Sequence, residues 1–233
     1  MSAEVQNAET QAQNAETQPS QYLVNFGIDG LRALYAVSLA AAKDDKQVEE
    51  RAYLNHVLVR VRGGKVKLAA TNGHVLAYFD WPVGNHGFNA ARDGAVLVPA
   101  SQIASAWKEC SNLPTIELSV YDEDDKLAGM RWYSGARTWE KVPADTFPRY
   151  ENVVPTPKKP NNEAFSRVGI DARYLTLATK MFKLFDETKL HIEVPIDPLS
   201  PFVFSSKLAP VVLVVMPMRI NHIDINPLRL PRK

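Results

Sequence analysis

Residues able to make or break bonds are sparse in this sequence and poorly placed for it. Its five histidines stand at positions 56, 74, 86, 191 and 222, and no two share the helical spacing that holds a metal between them. The single cysteine, Cys110, has no partner for an internal disulfide and builds no thiolate zinc site. Asp122-Glu123-Asp124-Asp125 sets four carboxylates in a row without the alternation of a calcium loop, so it reads as a solvated hairpin tip. There is no phosphate-cradling glycine loop, no His-Glu-x-x-His and no nucleophile elbow. The sequence therefore predicts no catalytic residue, no metal ligand and no cofactor. It describes a protein that is not an enzyme.

Charge in particular places is what the sequence offers instead. The chain of 233 residues carries 27 basic and 26 acidic side chains, a formal net charge of +1. A protein this close to neutral has no overall positive field for nucleic acid, so any basic surface must be local. Three segments with helical periodicity carry such a surface. In the third, Arg173, Thr176, Lys180 and Lys183 return to one direction because steps of three, four and seven residues nearly complete whole turns. In the first, Arg32 and Lys43 lie eleven residues apart and share a face if the helix spans both. The second contributes Ser101, Ser105 and Lys108, with Glu109 as the exception.

These segments recur inside a larger pattern, in which a short strand passes through a polar cap into an amphipathic helix and then into alternating strands. The first copy runs from Asn25-Phe26-Gly27-Ile28 through a cap at Asp29 and a helix over 30–43, with strands over 56–62, 65–71 and 74–81. Gly63-Gly64 is the hairpin turn between the first two of those strands. The second copy has a strand over 95–99, a cap at Ser101, a helix through Cys110 and strands over 115–121, 126–132 and 138–142. A third copy follows, with a strand over 165–170, a cap at Asp171, a helix over 172–185 and strands over 190–194, 202–206 and 211–216. Two copies make one domain of paired helices under a continuous sheet. The third has no partner unit in its own chain.

The organisation read from this pattern is a complete domain over 22–142, a proline-rich connector over 143–162 and a half domain over 163–220. Residues 1–21, with Gln-Asn-Ala-Glu-Thr at 6–10 and again at 13–17, read as a disordered tail, and 221–233 as a C-terminal extension. The longest apolar run, Pro210 to Met218, is about half the ~20 residues of a membrane helix, which together with the lone cysteine predicts a cytoplasmic protein with no membrane contact.

Three stretches then point to a family. Residues 51–81, from Arg51-Ala52-Tyr53-Leu54-Asn55 to Ala70-Thr71-Asn72-Gly73-His74-Val75-Leu76-Ala77, resemble the middle domain of the bacterial DNA polymerase III β sliding clamp. Phe147-Pro148-Arg149-Tyr150, ending at Val154-Pro155, is similar to that clamp's connector, and Val214-Val215-Met216-Pro217-Met218-Arg219-Ile220 to the segment closing its chain. Their order and spacing extend the resemblance over about 200 residues of repeated pattern.

The resemblance implies an α+β fold of the DNA-clamp, or processivity, type: repeated strand-helix-sheet units with paired helices against antiparallel sheets. It implies helices lining a central hole, so that Arg32, Lys43, Lys108, Arg173, Lys180 and Lys183 face duplex DNA through contacts blind to sequence. Arg51 and Tyr53 match a family loop that touches DNA, although the aromatic position between them is Ala52 here. It further implies a pocket for short peptide motifs of DNA polymerase and other replication proteins. One side of that pocket is formed by Leu54, Thr71, Gly73, His74 and Leu76, and the other by Pro155, Val214, Met216, Pro217, Met218 and Arg219. Flexible methionine thioethers suit a pocket that accepts many related peptides.

This chain departs from the family at several points. Asn72 and Val75 replace an acidic and a basic residue, only three copies of the unit are present where the family has six, and the chain continues past Ile220. Such a reduced form would suit a phage or mobile-element version. Two readings stay open. One is a processivity factor that encircles duplex DNA as a homo-oligomer, with the third unit completed between chains. The other is a clamp-derived interaction protein that does not encircle DNA and modulates host replication partners. In the extension, Ile223, Ile225, Leu228 and Leu230 are spaced like the anchors of a bound extended peptide, so it is expected to cover its own pocket or a neighbour's, or else to fray.

Overall fold

A computed structural model of the protein describes residues 22–43, 51–84, 87–122, 126–132, 134–154, 169–195 and 199–218. The first unit consists of β1 (Val24–Phe26), α1 (Ile28–Ser38), a 3-10 turn (Ala52–Asn55), β2 (His56–Arg62), β3 (Lys65–Thr71) and β4 (Val75–Pro82). A short β5 (Phe88–Ala90), with no counterpart in the sequence reading, leads to the second unit. That unit is β6 (Gly94–Pro99), α2 (Ala100–Cys110), β7 (Leu118–Asp122), β8 (Leu127–Trp132) and β9 (Gly135–Glu140). The third contains α3 (Ala172–Lys183), β10 (His191–Glu193), β11 (Phe202–Ser205) and β12 (Val211–Val215). Among the described residues no helix is long and apolar enough to cross a membrane.

Instead of one continuous sheet, the strands form two, both antiparallel: β5-β1-β7-β8-β9 and β10-β11-β12-β4-β3-β2-β6. The first two units exchange their leading strands. β1 pairs with β7 of the second unit, Val24 opposite Val120, and β6 pairs with β2 of the first, Val57 opposite Val98. The third unit also finds a partner in its own chain. β12 lies along β4, with Val214 opposite Leu76 and Val215 opposite Val75, so the seven-stranded sheet runs from the first unit into the third.

Strict alternation gives that sheet two different faces. Val57, Val59, Leu68, Ala77, Leu213 and Val215 point to the main core, where the buried faces of α1, α2 and α3 meet them. Leu58, Ala69, Leu76, Leu97 and Val214, one residue out of step, point the other way. Helices α1 and α2 are held together by Tyr35 stacked on Trp107, ring centroids 4.9 Å apart and planes 5° from parallel. Such a pair is worth about 1 kcal/mol beyond its buried area, so Trp107→Leu should lower the unfolding free energy by at least that amount, read as a urea midpoint lower by roughly 0.3 to 1 M at an unchanged m value.

Helix ends differ from the sequence reading in instructive ways. α1 stops at Ser38, because the Ser38 hydroxyl donates to the Tyr35 carbonyl at 2.7 Å and the amides of Leu39, Ala40 and Ala41 bond only three residues back. The Ala42 amide then donates to the Leu54 carbonyl at 2.7 Å, which leads the chain out of the helix. Lys43 is therefore not helical and does not share a helix face with Arg32. Asp29 and Ser101 lie inside the first turns of α1 and α2, and the cap positions belong to Gly27 and Pro99. Asp171 does cap α3, its carboxylate accepting the Arg173 amide at 2.8 Å.

His56 opens β2 nearly buried, its Nδ1 2.7 Å from the Ala52 carbonyl oxygen. Burial is the larger influence and holds its pKa below the ordinary 6.5, the bond to Ala52 opposing it. The unfolded chain then takes up this proton first. Stability from neutral His56 is complete above pH 6.5 and declines as pH falls from there toward the lower folded value. Thermal melts across this range should show the decline, and His56→Gln should flatten it.

Candidate functional site

The β3–β4 turn is fixed by its own side chains. The Thr71 hydroxyl donates to the Val75 carbonyl at 2.7 Å and accepts the Gly73 amide at 3.1 Å. Asn72 Oδ1 accepts the amides of His74 and Val75, both at 3.0 Å. Gly73 sits at φ +88°, in the left-handed region that favours glycine. Asn72 thus locks the loop, a role its amide oxygen fills without a charge. The end of β12 is tied to this turn, because the Met216 amide donates to the His74 carbonyl at 3.0 Å. Two residues on, the Met218 amide donates to the Gly169 carbonyl at 2.9 Å.

Thr71, Gly73, His74, Leu76, Val214 and Met216 are thereby assembled where β4 meets β12. Leu76 and Val214 are buried at the base, while His74 stands exposed. Met216 and Met218 keep 41% and 52% of their surface in water, with Pro217 half-buried between them. Leu54 is placed elsewhere. It is buried in the 3-10 turn, outside the cluster that holds Leu76 and Val214. Pro155, Arg219 and the extension over 221–233 lie outside the described residues, as do 1–21.

The sequence reading placed a connector over 143–162, with Pro155 in the pocket, but did not foresee how the first part of it packs. Phe147 and Tyr150 are buried on the outer face of the seven-stranded sheet, in the same cluster as Leu76 and Val214, and Val154 packs against it. The Phe147 ring lies edge-on to Tyr53 at 5.8 Å, and Tyr150 tilts against Tyr78 at 6.0 Å. Burial, more than the neighbouring Glu151, pushes the Tyr150 phenol well above its ordinary range. Glu151 reaches Lys67 at 3.9 Å and Arg60 at 4.0 Å, two partly exposed pairs that pin the connector to the sheet. Two aromatics three residues apart in a proline-rich stretch were the available signal.

The helices lie on the opposite face of that sheet. Lys108 on α2 and Lys180 and Lys183 on α3 are exposed and pair with no carboxylate among the described residues. Arg32 and Arg173 are held locally, Arg32 by Asp29 at 2.8 Å and Arg173 by Asp171 at 2.6 Å. Arg51 is exposed at the mouth of the 3-10 turn. Tyr53 packs with the connector, on the side away from the helices. Glu109, the acidic exception on α2, is engaged elsewhere. Its carboxylate accepts the Trp132 indole N–H at 2.7 Å and the Ser134 hydroxyl. The Ser134 bond first and the Trp132 bond second hold it below the usual carboxylate range. Among the described residues no three His, Cys, Asp or Glu side chains gather as a metal site.

No family model matches this sequence, and no curated protein does. Solved structures do match it. The Caulobacter crescentus polymerase III beta aligns with a TM-score of 0.64 at 21% identity, over 88% of this chain and 68% of that one. DNA polymerase III subunit beta from Borrelia burgdorferi, in complex with a natural product, gives 0.64 at 14% identity, over 91% and 67%. The Pseudomonas aeruginosa sliding clamp bound to griselimycin gives 0.56 at 18%, over 88% and 68%. At such identity the likeness is one of fold: the chain has the α+β sliding-clamp architecture. It spans about two thirds of the length of the structures it matches.

Proposed function

We propose that this protein is a non-enzymatic processivity factor of the sliding-clamp kind, which encircles duplex DNA as an oligomer and binds short peptide motifs of a DNA polymerase or related replication proteins. The observation that carries this reading is the seven-stranded sheet crossing from the first unit into the third. It sets three helices on one face and the Leu76–Val214 cluster on the other. On the helix face, Lys108, Lys180 and Lys183 supply mobile charges suited to phosphates of any sequence, which hold DNA without fixing a register. On the outer face, exposed Met216 and Met218 beside a rigid turn offer an adaptable apolar seat for a peptide. Clamps of this fold carry small molecules in solved complexes, including griselimycin on the Pseudomonas aeruginosa protein, which supports a ligand-accepting surface here too.

One observation favours the second reading, a clamp-derived interaction protein that modulates host replication partners without enclosing DNA. The chain spans about two thirds of the clamp structures it matches, and on this reading it closes no ring. Retention on circular DNA separates the two. Protein assembled on nicked circular duplex should resist a high-salt wash and be released when the DNA is linearised. Equal loss from both forms would leave the interaction protein as the reading.

A further inference from the structure

The complete domain shows what a half domain lacks. There, each unit covers the other: α1 packs on α2, and β1 closes the outer edge of β7. Under that cover the residues of β7 that face the core, Leu118 and Val120, are 0% exposed. β10 is the counterpart of β7, the first strand after the helix of its unit. Ile192 of β10 stands opposite Phe204, and Phe204 opposite Leu213. Cross-strand neighbours share a face, so Ile192 belongs to the core face, where Phe204 and Leu213 are 1% and 0% exposed. Ile192 is nevertheless 49% exposed and Val194, next on that face, 57%. Above them α3 buries Ala178, Met181 and Phe182 but leaves Leu175 at 43%. β10 ends the seven-stranded sheet on this open side.

No missing half unit fits into this stretch of chain. Between Val154 and Gly169 lie only the 14 residues 155–168. The second unit takes 47, from Gly94 to Glu140. We infer that the open flank of the third unit, centred on Leu175 of α3 and Ile192 of β10, docks a second copy of this chain. The two half units then make one composite domain around a two-fold axis.

A second copy is the occupant because the two halves of the complete domain already show the arrangement: like units, reciprocally exchanged, helix against helix. A two-fold axis presents the same surface to itself, so one apolar flank suffices for both partners. An open strand edge backed by uncovered β-branched residues is the feature that such pairing removes. The inference rests on the fold and not on the DNA reading. A dimer that holds no DNA leaves it standing, and a chain that stays single removes it whatever that chain does with DNA.

Light scattering on the full chain at micromolar concentration tests it. The expected mass is an even multiple of the 26.0 kDa chain, falling on dilution. A single-chain mass overturns the inference. Leu175→Glu combined with Ile192→Lys should shift the mass toward one chain by weakening association about tenfold or more. Both side chains are already about half in water in the single chain, so circular dichroism should show the fold retained. An even-numbered assembly that survives the double substitution places the interface elsewhere and overturns the proposal. Should that variant not fold, amide exchange on the unaltered protein decides. Protection of Ile192 and Glu193 must rise with protein concentration, and exchange independent of concentration overturns the surface.

Discussion

Replacing Lys108, Lys180 and Lys183 together by glutamate is expected to abolish salt-sensitive retention on duplex DNA while leaving the melting temperature unchanged. All three ammonium groups are exposed and unpaired among the described residues, so their reversal removes no contact that holds the fold. Each lysine that neutralises one phosphate releases counterions, and loss of three such contacts should flatten the slope of log K against log salt by about 3. At moderate salt that corresponds to an affinity loss of about a hundredfold or more. Arg32 and Arg173 are left in place deliberately, because Asp29 and Asp171 already hold them. Filter binding across a salt series reads the slope. A slope unchanged by the triple substitution would remove the helix face as the DNA surface.

Met216→Ala combined with Met218→Ala should weaken binding of a fluorescent polymerase peptide about thirtyfold. A methionine side chain taken fully out of water is worth about 1.5 to 3 kcal/mol. Met216 and Met218 still show 41% and 52% of their surface to solvent. Docking therefore has roughly half that value left to gain, about 1 kcal/mol for each and about 2 kcal/mol for both, which is the thirtyfold change. The main-chain bonds from Met216 to His74 and from Met218 to Gly169 persist in alanine, so the seat keeps its backbone shape. Fluorescence anisotropy reads the affinity. Equal affinity for the variant and the parent would show that the peptide, if it binds, binds elsewhere.

Local periodicity determined much of the molecule by itself. The bounds of β2 and β3 coincide with the alternating runs of the sequence, since a hairpin turned by Gly63-Gly64 sets its register within a few residues. α3 begins at its aspartate cap and turns its lysines to water, because a period of 3.6 and a capping carboxylate are both local features. The turn at Thr71–Val75 and the segment at Val214–Met218 were also legible, as motifs.

Tertiary structure decided what joins what. Whether β1 pairs within its own unit or with β7 is a question of non-local hydrogen bonding, which the pattern inside a strand does not name. The pairing of β12 with β4 brings Val214 to Leu76 across more than a hundred residues of sequence, and no periodicity encodes that distance. The stop at Ser38 took Lys43 off its helix because a serine back-bond and the bond from the Ala42 amide to the Leu54 carbonyl outweighed a run of alanines favourable to helix. The Trp132 and Ser134 donors drew Glu109 off the basic pattern. The connector read as a linker because it has no period, yet Phe147 and Tyr150 are buried in one cluster with Leu76 and Val214. Burial of isolated aromatics depends on the surface they meet, and that surface exists only once the sheet has formed.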